Sequence, residues 1–170
     1  MGGPSERHRG MMKPLIATTL LCLAVLTASP STGIAQSNLV GMKWKFNLEK
    51  SKFNPGPGLG SGILTYEETD QGFVSTFEGT SAQGASIKDT FGPFTLDGKP
   101  YPVTGTTVYD ATSHKAINDT TTEIVRWKGD KPVQWSTRVL SADGKTLTFT
   151  NTGTNSRGEQ FSHVIVYDRQ

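Results

Sequence analysis

Residues 133–167 read VQWSTRVLSADGKTLTFTNTGTNSRGEQFSHVIVY and contain three alternating runs separated by two short connections. Alternation of apolar and polar residues with a period of two is typical of a strand with one buried face. The connections at 141–145 and 153–158 are rich in the glycine, aspartate, asparagine and serine residues that favour turns. This stretch therefore predicts a meander of three antiparallel strands at 133–140, 146–152 and 159–167.

The same rhythm extends towards the N-terminus. Trp44, Phe46 and Leu48 alternate with polar residues, and further short runs follow at 63–68, 73–78, 85–91, 93–96, 101–103, 106–109, 115–118 and 122–127. An Asp-Gly-Lys triplet at 97–99 predicts a hairpin between two of these runs. We therefore expect an all-β fold, a single antiparallel up-and-down barrel of about 8–10 strands, since closure removes exposed edges. The alternative is a two-sheet β-sandwich.

One segment interrupts the alternation. Residues 50–62 read KSKFNPGPGLGSG, with four glycines and two prolines close together. Proline fixes φ and lacks a backbone donor, and glycine weakens strands. We therefore expect a loop here, lying over one end of the barrel.

The first 35 residues have the features of a secretion signal. Arg7, Arg9 and Lys13 precede an apolar run at 14–28, which is too short to span a bilayer, and small residues follow at 33–35. We predict cleavage before Gln36, which leaves 36–170 as a single β-barrel domain in the periplasm or the secreted medium. We expect no membrane span after cleavage, and the oligomeric state is not predicted.

Removal of this leader changes the composition. The chain's single cysteine, Cys22, lies in the leader, so the mature domain has no thiol for a disulfide or a metal site. Of the 17 basic and 15 acidic residues, the leader holds three basic and one acidic, so the mature domain is neutral. A neutral domain without a basic stripe argues against a nucleic-acid partner.

Several short motifs spread over the mature chain carry a family resemblance. They are WKFNL at 44–48, KSKF at 50–53, PGP at 55–57, YPVTG at 101–105, SADGKT at 141–146, GTN at 153–155 and VYDRQ at 166–170. Together they resemble a group of uncharacterised exported bacterial proteins described as lipocalin-like. The resemblance implies a calycin-type barrel and implies no reaction.

Candidate ligand-binding residues lie first on the last predicted strand. Phe161, His163, Ile165 and Tyr167 share one of its faces. If this face lines the barrel lumen, His163 and Tyr167 are the polar groups that fix a ligand. Otherwise the aromatic residues form an ordinary core and His163 lies near a rim, which is the interpretation the residues favour.

Two tryptophans and two arginines form the second group of candidates. Trp127 and Trp135 flank the predicted turn at 128–132, where they either stack on a ligand or pack against each other across strands. Arg126 and Arg138 lie on the opposite faces of the same strands. If the tryptophans are core, which we favour, the arginines are solvated. If the tryptophans point outward, the arginines enter the lumen and can clamp an acid.

The leading functional hypothesis is an exported barrel that binds a small, largely apolar molecule. One alternative is an enzyme with His163 or Glu123 as general base, and another is a structural or interaction module of the cell envelope. We expect no cofactor and no metal site, because His114 and His163 of the mature chain lie outside any spaced ligand cluster. No catalytic residue is predicted beyond those two candidate bases.

Overall fold

The computed structural model describes residues 2, 3, 36, 38–56, 58–104, 106–155 and 157–170. These residues form ten antiparallel strands in one nearly closed, barrel-shaped sheet. The strands are β1 (Lys43–Asn54), β2 (Leu59–Thr69), β3 (Gly72–Ser81), β4 (Ser86–Phe94), β5 (Asp97–Pro102), β6 (Ala111–Ala116), β7 (Thr121–Lys128), β8 (Lys131–Leu140), β9 (Thr146–Thr154) and β10 (Gln160–Arg169). The prediction of an all-β up-and-down barrel is confirmed, and a single sheet excludes the sandwich.

The order of strands in the sheet is β4-β3-β2-β1-β10-β9-β8-β7-β6-β5, so β4 and β5 form its two edges. Stacked rings connect β4 with β6, the neighbour of β5, and with the segment that precedes β6. Phe94 on β4 stacks on His114 of β6 with ring centroids 3.7 Å apart, and Phe91 stacks on Tyr109 at 6.4 Å. The seam of the barrel is therefore bridged mainly by aromatic side chains.

The two ends of the barrel differ. One end, here called the rim, carries the connections β1–β2, β3–β4, β5–β6, β7–β8 and β9–β10. The opposite end, here called the base, is filled by large apolar side chains that are almost completely buried: Leu39, Trp44, Phe94, Leu96 and Leu147. The interior at the base is therefore occupied by the protein's own side chains.

The predicted meander at the C-terminal end is confirmed as β8, β9 and β10. Its register pairs Arg138 with Phe149 and Phe149 with Ile165, so these three side chains lie on the same side of the sheet. The row three positions away, Trp135 with Thr152 and Thr152 with Ser162, lies on the other side. These rows decide which side chains reach the interior.

The expectation of a loop over residues 50–62 is wrong at both ends. β1 continues to Asn54 and β2 begins at Leu59, so only a short connection at the rim remains. Glycine is used here to make room for aromatic rings, since a Cβ at Gly58 would collide with the Phe53 ring and one at Gly62 with the Phe77 ring. An irregularity in the pairing between Asn47 and Lys52 bends β1 over this end.

The predicted hairpin around residues 97–99 is also wrong. Asp97–Pro102 is a single strand, β5, and it pairs with β6. The Asp97 carboxylate accepts a hydrogen bond from the Lys99 backbone N–H at 2.9 Å, an Asx-type contact that resembles a turn signal in sequence. The run at 106–109 forms no strand, and the next strand covers 111–116 instead of 115–118.

The predicted signal segment and its cleavage point lie outside the described residues, apart from residues 2 and 3 and Gln36. Among the residues that the structure describes, no helix has the length and apolar character needed to cross a membrane.

Candidate functional site

A cavity of about 210 Å³ lies inside the barrel between the base and the rim. Its apolar lining comes from strands on all sides: Leu59, Leu64, Phe77, Phe91, Ile124, Phe149 and Ile165. Polar atoms contribute less of the lining surface, and its polar residues are Tyr66, Ser75, Asp89, Tyr109, His114, Arg126, Asn151 and Tyr167. An apolar pocket with a few polar groups is the usual composition of a small-molecule site.

The last strand presents Phe161, His163, Ile165 and Tyr167 on its inner face, and two of these reach the cavity. Ile165 and Tyr167 line it. Tyr167 is buried, and its ring contacts Phe149 edge-on with centroids 5.7 Å apart. Burial, and then the neighbouring Tyr66, raise the pKa of Tyr167, so its phenol remains protonated over the physiological range.

His163 and Phe161 lie higher, near the rim. The His163 ring stacks on Phe161 at 4.7 Å and contacts Phe53 at 5.1 Å. Its Nδ1 accepts a hydrogen bond from the Asn54 backbone N–H at 3.2 Å. Partial burial lowers the pKa of His163, which favours the neutral ring that can accept this bond. Neither residue lines the cavity, and both lie nearer the rim than Ile165 and Tyr167 do.

The tryptophans lie outside the barrel. Trp135 is 47% exposed, and Trp127 is half-buried with its Nε1 donating to Ser113 Oγ at 3.0 Å. Ser113 follows Thr112 and precedes His114, and His114 faces the cavity, so Ser113 points to the outer surface. The two tryptophans therefore take no part in the cavity.

The arginines take the positions that we expected for the tryptophans, and the expectation of solvated arginines is wrong. Arg138 is 2% exposed, and Arg126 lines the cavity. The physical reason is the register, because Arg138 lies in the same row as Phe149 and Ile165, whose side chains face inward. On both β7 and β8 the tryptophan is thus on the outer face and the arginine on the inner face. The hydrophobicity of the side chains alone predicts the opposite.

Several polar residues of the lining were not among the ligand-binding candidates predicted from the sequence, and besides Tyr66 the most deeply placed titratable side chain that they add is His114. It is 5% exposed, its ring lies flat on Phe94, and its Nδ1 has no hydrogen-bond partner in the described part of the chain. Burial, followed by the positive charges of Arg138 and Arg126, holds the pKa of His114 well below its ordinary value. The segment around it has no clear alternation, so the sequence contains no signal that this side chain points inward.

The two general bases predicted from the sequence, Glu123 and His163, do not line the cavity. Glu123 is exposed on the outer surface of β7, and His163 is at the rim. Within the described ranges, no cluster of three or more histidine, cysteine or acidic residues is arranged to hold a metal ion. The ionisable groups that line the cavity in the described part of the chain are Arg126, His114, Asp89 and the tyrosines Tyr66, Tyr109 and Tyr167.

Comparison of the chain with protein-family models, with curated proteins and with solved structures gives no match.

Proposed function

We propose that this protein is a binding barrel for a small, largely apolar molecule held in the cavity between base and rim. The observation that supports it is the cavity itself, with a volume of about 210 Å³ and a mostly apolar lining. An apolar protein cavity of about 150 Å³ is sufficient to bind benzene. A ligand of one or two small rings, or a short alkyl chain, fits the volume here.

The packing around the cavity favours a ligand-binding site over a packing defect of the core. Protein cores normally leave few voids larger than a water molecule, because each void forfeits dispersion contacts. In this barrel the base is filled by Leu39, Trp44 and Leu147, whereas the middle is not. A chain that packs one end so completely and leaves the middle empty is typical of a ligand-binding barrel.

We further propose that the protein works outside the cytoplasm as a member of the lipocalin-like group that its motifs resemble. The leader composition supports export, and the barrel fold is compatible with the resemblance. In this setting the protein would carry or sequester its ligand, since no set of inward-facing groups in the described residues forms a recognisable catalytic arrangement.

A cavity-filling substitution tests the proposal. Ile165→Trp places a large ring in the cavity, and Ile117→Trp makes the same change at a residue that is 54% exposed. Binding of 2-naphthylmethanol and of 1-octanol is measured by isothermal titration calorimetry and by the shift in Tm. The wild-type protein should gain about 2.7 kcal/mol of stability at a ligand concentration of about 100 times Kd.

We expect Ile165→Trp to weaken both ligands at least about tenfold, since their space is occupied, and Ile117→Trp to bind like the wild type. A folded Ile165→Trp protein that binds as well as the wild type would contradict a site in this cavity. Ile165→Ala enlarges the cavity without blocking it, so this variant should retain binding and shows whether a failure is due to misfolding.

A further inference from the structure

Two guanidinium groups lie inside the barrel without an acidic partner among the described residues. Arg138 is almost completely buried, and Arg126 lines the cavity. The ion pairs formed by described residues are Lys50–Asp168, Lys88–Glu78, Lys99–Asp97, Lys128–Asp110 and Arg157–Glu159, all at exposed positions. A buried charge is costly unless it is paired, so this arrangement requires an explanation.

Neutral groups satisfy only part of the hydrogen-bonding capacity of these arginines. Arg138 donates from Nη2 to Thr122 Oγ1 at 2.7 Å and lies over the Tyr66 ring at 5.3 Å, and its Nη1 has no partner among the described residues. Arg126 donates from Nη1 to Ser136 Oγ at 3.3 Å, and its buried Nε finds no acceptor in the same part of the chain. Hydroxyls accept a hydrogen bond but do not neutralise a positive charge.

The orientation of Arg126 is set by aromatic rings. Its guanidinium carbon lies 5.2 Å from the Tyr109 ring centroid and 5.8 Å from that of Phe91, and these two rings are stacked across the seam. Such contacts hold a cation in place while leaving its edge available. The geometry therefore positions a planar donor at the side of the cavity.

The acid that lines the cavity among the described residues is Asp89, and it does not pair with Arg126. Asp89 is an exposed residue of the edge strand β4. Its carboxylate is therefore solvated at the side of the cavity, and the inner part retains an excess of positive charge.

The other polar groups near the guanidinium groups are neutral. Burial together with the charges of Arg138 and Arg126 keeps His114 deprotonated, and Tyr167 keeps its proton. Among the described residues, the protein therefore supplies positive charge and hydrogen-bond donors inside the barrel, and the acid that lines the cavity, Asp89, is exposed and does not pair with the arginines. This is the electrostatic complement of an anion.

We propose that the molecule bound in the barrel carries a carboxylate, which Arg126 binds inside the cavity while the apolar part of the molecule packs against Phe77, Phe149 and Ile165. The proposal rests on the proposed function and specifies its ligand class: a small apolar monocarboxylate. Arg138 does not itself line the cavity, so it contributes through its charge and not through direct contact.

Matched acid and alcohol pairs test this proposal. Octanoate is compared with 1-octanol and 2-naphthoate with 2-naphthylmethanol, so that each pair shares its apolar part. Dissociation constants are measured by isothermal titration calorimetry at neutral pH in a buffer without carboxylates, at low and at high salt. We expect each acid to bind at least about tenfold more tightly than its alcohol, with a preference that survives added salt because Arg126 is partly buried and such a pair is screened less than an exposed one.

Variants assign the preference to one residue. Arg126→Gln should remove the preference for the acid while leaving the affinity for the alcohol within about threefold of wild type. Arg126→Lys keeps the charge without the planar fork and should retain part of the preference. Arg169→Gln removes an exposed arginine at the base and should bind as the wild type does.

The outcomes separate the two proposals. Equal binding of acid and alcohol by the wild type, or an acid preference that persists in a folded Arg126→Gln protein, overturns the anion proposal and leaves the binding barrel standing. Failure of all four ligands to bind overturns the proposed function and this inference with it.

Discussion

Alanine at position 62 tests the packing that allows a glycine-rich segment to form a strand. In an ordinary strand, replacing glycine with alanine reduces the entropy of the unfolded chain and stabilises the fold by about 0.5–1 kcal/mol. Gly62 lies on β2 beneath the Phe77 ring, opposite Gly79 of β3. We expect the usual gain to be reversed here.

The magnitude follows from the space around position 62. A Cβ on this residue would overlap the Phe77 ring and lie 3.1 Å from the Glu78 carbonyl oxygen. The ring is buried and packs edge-on against Tyr167 at 6.5 Å, so it cannot move freely. Overpacking of this kind costs about 1–3 kcal/mol. The net loss for Gly62→Ala should therefore be about 1–2 kcal/mol in the free energy of unfolding.

Chemical denaturation followed by tryptophan fluorescence measures this change, and a double-mutant cycle with Phe77→Leu identifies its cause. Removal of the ring should relieve the clash, so the two substitutions should couple by about 1–2 kcal/mol. Gly56→Ala is the control, because a Cβ there meets no atom closer than 3.4 Å, and its effect should stay within about 0.5 kcal/mol. A Gly62→Ala protein as stable as the wild type, or the absence of coupling, would refute the reasoning.

Two further predictions concern the interior. Because the pKa of His114 is lowered well below 6.5 in the folded protein, the unfolded chain binds a proton that the folded chain does not. The free energy of unfolding should fall as the pH drops below about 6.5, by at most about 1.4 kcal/mol per pH unit. His114→Gln should remove this part of the pH dependence, which denaturation curves at about pH 7.5 and about pH 5 measure. A variant with the same pH profile as the wild type would contradict the prediction. In the same assay, Leu147→Ala should lower the free energy of unfolding by about 3–5 kcal/mol, because this side chain is fully buried. Leu48→Ala should lower it by less than about 0.5 kcal/mol, because Leu48 is 58% exposed. Similar losses for the two variants would invalidate the assignment of inner and outer faces.

The strands were largely predictable because alternation with turn residues between the runs is a local signal. The final meander matches β8, β9 and β10 closely for this reason. Where the local signal misled, a contact with another strand was responsible, Phe77 of β3 for Gly62 and the pairing of β5 with β6 for Asp97. Gly62 lies within a strand because the Phe77 ring needs the space, and Asp97 begins a strand although its contact with Lys99 resembles a turn.

The candidate site was predictable only in part. Tyr167 was identified because the last strand alternates clearly and its apolar face is obvious. Arg126 and Arg138 were named, but the favoured interpretation placed the neighbouring tryptophans in the core and the arginines in solvent. A period of two separates two faces and does not specify which is inside. His114 was not identified as a ligand-binding candidate, since no periodic pattern surrounds it.

The sequence by itself therefore determined that this chain forms antiparallel strands joined by short turns, and which residues of each strand share a face. Tertiary structure alone decided that Arg138 and not Trp135 enters the barrel. The physical reason is cross-strand register, since β9 and β10 place Phe149 and Ile165 inside and the arginine in their row must follow. Closure of the sheet then brought Arg126, His114 and Tyr167 from separate strands to one cavity.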